Sequence, residues 1–109
     1  MSKELLLSVK FKSETIKLNG ENYEVREMTA KNAAEYESSL FKIVNNKPVY
    51  NTKDAKNKLV LSTLFKNNEQ VFGKNDIGLV GQLPASMVNK IFEAATKINQ
   101  LDPEENEKN

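Results

Sequence analysis

The side chains with most scope for chemistry here are carboxylates and lysines, because histidine, cysteine and tryptophan are absent from all 109 residues. Without His and Cys the chain lacks the usual general base, the thiol nucleophile and the common zinc and haem ligands. Its densest carboxylate group, Glu104, Glu105 and Glu107, falls in a terminal charge run, and such runs are usually solvated. No Asp or Glu pair stands out as a general acid and base. Gly73, Gly78 and Gly81 lack the spacing and the Gly-Lys-Ser/Thr ending of a phosphate loop, and no Asp-x-Asp-x-Asp-Gly calcium loop occurs. The expectation is a protein that is not an enzyme and uses no cofactor or metal. What remains is binding. Met87, Val88, Ile91, Phe92 and Ile98 recur on one half of a helical wheel and are the candidate protein-binding residues. Methionine suits an adaptable contact, because its side chain is flexible and polarizable.

Charge narrows the partners. The net charge is +1, and 15 of the 16 basic residues are lysine, Arg26 being the exception. Nucleic-acid binders carry a basic stripe and favour arginine for bidentate contacts, so nucleic acid is not expected. Residues 1–58 carry +3 and residues 59–109 carry −2, a mild split that could orient two copies or two partners. Leu5-Leu6-Leu7 is far too short for a membrane span or a signal-peptide core, so no membrane partner is expected. Absence of Cys means no disulfides and fits an intracellular protein.

The elements that must position those residues follow from pattern. Residues 1–12 alternate weakly at Leu7, Val9 and Phe11, as a strand or a loosely attached arm. Residues 14–28 read as a hairpin: two alternating runs flank Asn19-Gly20, a dipeptide that accepts the positive φ angles of a tight turn. Thr29 is a credible N-cap for a helix carrying Ala30, Ala33, Ala34, Leu40, Phe41 and Val44 on one face. Glu37 falls inside that arc, either as a snorkelling or salt-bridged edge residue or as a buried polar contact to a partner. Asn45-Asn46-Lys47-Pro48 is a break. A second helix after Thr52, with Ala55, Leu59, Val60, Leu61, Leu64 and Phe65 spread around it, is the expected central one, ended by Asn67-Asn68. Gly73, Gly78 and Gly81 mark a connector with a short helical turn from Asp76. Pro84, lacking an amide hydrogen, suits the first position of a last helix to about Gln100. The fold class is α+β: one mostly helical domain over residues 1–109, with an N-terminal β-hairpin packed on about three helices. Its helical part spans 29–101 and its acidic tail 102–109.

Three stretches together resemble a known family: the Asn-Gly hairpin running through Val25-Arg26-Glu27-Met28-Thr29-Ala30 into a helix, Leu83-Pro84-Ala85-Ser86-Met87-Val88 opening the last helix, and Ala94-Ala95-Thr96-Lys97-Ile98-Asn99-Gln100-Leu101-Asp102 before the acidic tail. The layout over roughly residues 14–109 is similar to the small tail assembly chaperones of long-tailed bacteriophages, functionally like the G protein of phage lambda. The resemblance implies a protein of the host bacterial cytoplasm, absent from the mature virion. Such a protein coats the tape measure protein, keeps it soluble and helps recruit tail-tube protein. It implies a homo-oligomer, and a longer product made by a −1 frameshift. Glu107-Lys108-Asn109 permits a slippery A-AAA-AAC site, as do the tripeptides at 30–32, 55–57 and 73–75. The alternatives are a small phage or mobile-element regulator that binds nucleic acid, and a structural tail component.

Overall fold

The computed structural model describes residues 2–50 and 54–100. The sequence motif at Glu107 and the acidic tail lie outside the described residues. In chain order the elements are α1 (Ser2–Leu7), β1 (Ser13–Leu18), β2 (Glu21–Arg26), α2 (Ala30–Ser39), β3 (Phe41–Val44), β4 (Lys47–Tyr50), α3 (Ala55–Thr63), β5 (Leu64–Lys66), β6 (Glu69–Gln70), α4 (Ile77–Val80) and α5 (Ala85–Asn99). Helices take 46% of the described residues and strands 26%. The α+β class and the N-terminal hairpin are as expected, while the strand content is richer than one hairpin supplies.

Three hairpins share one piece of chemistry. Asn19-Gly20, Asn45-Asn46 and Asn67-Asn68 all have positive φ at both loop positions. Each joins two antiparallel strands through a two-residue loop. Two-residue loops of this kind match the right-handed twist of the strands with both residues left-handed, which Gly and Asn tolerate best. The two Asn-Asn pairs therefore turn the chain back on itself, where the helical reading had them end helices. α2 stops at Ser39, with the Leu40 amide donating to the carbonyls of Glu37 and Ser38. Phe41-Lys42-Ile43-Val44 is aromatic and β-branched at alternate positions, and it pairs with Lys47–Tyr50. Likewise α3 ends at Thr63, whose hydroxyl donates to the Leu59 carbonyl at 2.7 Å, and Leu64 and Phe65 belong to β5.

The main sheet has the order β1-β2-β5-β6. Ile16, Leu18 and Val25 turn inward with Leu64, and α3 and α5 cover that face with Leu59, Val60, Val88, Ile91, Ala94 and Ala95. Val80 of α4 closes the core. Two hydrogen bonds tie α5 to β1 and to the segment after β2. Lys90 Nζ donates to the Lys17 carbonyl at 2.9 Å, and the Met28 amide donates to Asn99 Oδ1 at 2.8 Å. Pro84 (φ −56°, ψ 138°) sits one position before the helix proper, as its N-cap, and Gln100 ends α5 in the left-handed region. The turn expected from Asp76 is α4, with Asp76 at its N-cap.

At the N-terminus, Ser2–Leu7 forms a short helix, and the alternating residues Val9 and Phe11 that follow it belong to no strand. Lys-Glu-Leu-Leu-Leu is rich in helix formers. Lys12 then enters the ladder: its carbonyl accepts from the Glu27 amide at 2.9 Å, and its amide donates to Glu27 Oε1 at 3.1 Å.

Candidate protein-binding surfaces

Among the described residues no three carboxylates gather closely enough to hold a metal ion. No helix of the described residues is long and apolar enough to cross a membrane. The polar cluster with the most order lies on the outer face of the sheet, where Thr15, Glu24, Phe65 and Gln70 form one cross-strand row. Arg26 stacks on the Phe65 ring at 4.4 Å and its Nη2 donates to Glu24 Oε1 at 2.7 Å and to Asn68 Oδ1 at 2.6 Å. A cleft of about 680 Å³ opens there between the sheet, the Lys10-Phe11 segment and α2, with Met28 and Phe65 among its walls. Arg26 is held within the fold, so this arrangement stiffens the β2–β5 junction.

The structure divides the five residues singled out on α5. Val88 and Ile91 are buried, and Ile91 is 0% exposed at the centre of the core. Met87, Phe92 and Ile98 are half-buried and pack against that core with one side. Lys56 Nζ lies 5.3 Å from the Phe92 ring centre and donates to Asn89 Oδ1 at 3.0 Å, so α3 already flanks this part of the helix. The inward stripe of α5 packs against α3 and the sheet, and its rim reaches solvent.

The large exposed apolar side chains lie elsewhere. Leu5, Leu6, Leu7, Val9 and Phe11 stand in solvent on the N-terminal arm. Phe41, Ile43, Val44, Val49 and Tyr50 do so on the β3–β4 hairpin, where Ile43 is 70% exposed. That ribbon is a separate two-stranded sheet with every residue exposed. From the register, Phe41, Ile43, Pro48 and Tyr50 share one face, and Lys42, Val44, Lys47 and Val49 the other. Phe41 and Tyr50 meet edge to face with ring centres 5.3 Å apart. At the base of the ribbon, burial first and then nearby Tyr50 push the Tyr36 phenol above its ordinary value. Helical spacing hid these residues, because Leu40, Phe41 and Val44 also fit a continued α2. The signal that finds them is Asn45-Asn46 between two short runs rich in β-branched and aromatic residues.

No family model and no curated protein matches the sequence. A solved structure does match in three dimensions: the bacteriophage HK97 tail assembly chaperone, with a TM-score of 0.64 over 89% of this chain and 96% of that one, at 13% identity. The chain has the fold of a phage tail assembly chaperone. At this identity the likeness resides in the path of the backbone, so the same scaffold is built here from a largely different set of side chains.

Proposed function

We propose that this chain is a phage tail assembly chaperone that binds and solubilises the tape measure protein and helps recruit tail-tube subunits. It acts by hydrophobic capture, without catalysis. The observation that carries this reading is the shared fold, which extends over 89% of the chain and 96% of the HK97 protein. The exposed apolar arm and hairpin support it, since contiguous apolar surface beyond a few hundred Å² marks sites of interaction. A long helical client with unpaired apolar stripes aggregates unless they are covered, and these surfaces offer the cover. The open rim of α5, at Met87, Phe92 and Ile98, contributes to the same binding, with Val88 and Ile91 backing it from within. The protein works in the host bacterial cytoplasm as a homo-oligomer and stays out of the mature virion. A longer frameshifted form brings in the tail-tube protein.

Inactivating the gene in the phage or prophage that carries it tests this reading. The expected outcome is filled heads without tails, tape measure protein in the insoluble fraction, and none of this chain in purified wild-type particles. Normal tails after inactivation, or this chain in purified virions at structural copy number, would refute it.

A further inference from the structure

The β3–β4 hairpin is a two-stranded ribbon in which every residue is exposed. Two strands alone are marginal in water, and a second layer over the apolar side is what ordinarily holds them. The register sorts the side chains by face. Phe41, Ile43, Pro48 and Tyr50 make one face, which carries no charge and exposes on the order of 400 Å². Lys42 and Lys47, the only charges in residues 41–50, lie on the opposite face with Val44 and Val49. That separation bears on what covers the Phe41 face. An amphipathic helix brings charged flanks to the rim of its contact, and a membrane or a nucleic acid brings phosphate. The Phe41 face holds nothing to meet either. A second copy of the same face brings no charge, and its lysines point away from the contact, so no like charges are forced together.

We propose that the Phe41 face packs on the same face of a second copy about a two-fold axis. It rests on the homo-oligomer of the proposed function and names a contact that builds it. Two ribbons stacked about 10 Å apart form a small four-stranded sandwich. Ile43 and Pro48 occupy one end of the face, and Phe41 and Tyr50 the other. With the axis across the strands, the Ile-Pro end of each ribbon meets the aromatic end of the other, the reciprocal match that a two-fold contact requires. The pair of faces buries at most about 800 Å² in total, below the roughly 1,200 Å² at which stable interfaces begin. The contact is therefore weak between free chains and takes effect where copies are held side by side, as on a long client. Val44, Val49 and the N-terminal arm stay open toward that client.

Sedimentation equilibrium of the full chain tests this. The chain is expected to be monomeric at about 1 μM and largely dimeric at about 1 mM. Ile43→Asp should weaken the dimer at least about tenfold, and so should Tyr50→Ser, with the circular dichroism of the domain retained. Val44→Asp, next in the chain but on the opposite face, should leave the dissociation constant within about threefold of wild type. A chain that stays monomeric at the upper concentration overturns the proposal. So does a dimer that survives Ile43→Asp, or one that Ile43→Asp and Val44→Asp weaken alike, as pairing through a strand edge would give. A monomeric chain whose client binding is lost with Ile43→Asp also overturns it, and gives the face to the client. Co-expression separates this contact from the chaperone reading. A tape measure protein kept soluble by a chain that proves monomeric removes the contact and leaves the chaperone reading standing. A tape measure protein left insoluble by wild type removes the chaperone reading, and sedimentation then decides the contact by itself.

Discussion

Truncating Ile91 and Ile43 to alanine should have very different consequences, although both are isoleucines in apolar stripes. Ile91 is 0% exposed at the centre of the domain, between the sheet and α3. Ile91→Ala removes three buried carbons, and at about 0.8 kcal/mol per group the lost transfer energy is about 2.4 kcal/mol. The unfilled space adds to this, for a total of about 3–4 kcal/mol. That is a large part of the roughly 5–15 kcal/mol that holds a domain of this size together. Ile43 is 70% exposed, so the same truncation there forfeits only about a third of the transfer term, about 0.7 kcal/mol. Urea unfolding followed by far-ultraviolet circular dichroism measures both. With a slope of about 1.5 kcal/mol/M, Ile91→Ala lowers the midpoint by about 2 M and Ile43→Ala by about 0.5 M. A loss below about 1 kcal/mol at Ile91 would refute the assignment of the inward stripe of α5 to the core. A loss at Ile43 equal to that at Ile91 would refute the hairpin's exposure.

Other outcomes follow from single contacts. Asn99→Ala removes the acceptor of the half-buried Met28 amide and should destabilise the domain by about 1–2 kcal/mol in the same urea assay. Asn46→Val places a β-branched residue at a φ of 63°, which should cost about 1–2 kcal/mol within the hairpin. Amide exchange should then rise at residues 41–50 with little change in the midpoint of the main domain. For Tyr36 the folded state holds the phenolic proton at a pH where the unfolded chain releases it, because burial and Tyr50 raise its pKa. Its contribution is complete below about pH 10 and is lost as the pH climbs through the raised folded value. Tyr36→Phe should accordingly show a shallower fall in urea midpoint above about pH 10 than wild type.

Elements defined by strong local chemistry were legible in the sequence. Asn19-Gly20 marked the first hairpin, Thr29 caps α2 through its hydroxyl on the Asn32 amide at 3.1 Å, and Pro84 marked the start of α5 to within one residue. The hidden parts were those where two periods coincide. Leu40, Phe41 and Val44 lie at helical spacing from Ala33, yet alternate residues from Phe41 onward also suit a strand. Asn45-Asn46, rather than either period, decides the outcome. Leu64 and Phe65 continue the apolar run of α3 and still form β5, because β2 supplies a partner at Glu24 and Val25 that is far away in sequence. The same non-local fact governs the candidate surface. A wheel shows which side of α5 is apolar, whereas only the packing of β1, β2 and α3 shows that Val88 and Ile91 are consumed inside the domain.

The central claim, that this chain captures an apolar helical client, is tested most directly by co-expression with the neighbouring gene for the longest helical protein, followed by pull-down and mass measurement of the complex. The account predicts a soluble complex with several copies of this chain on each client. A client that stays insoluble while this chain elutes alone would contradict it.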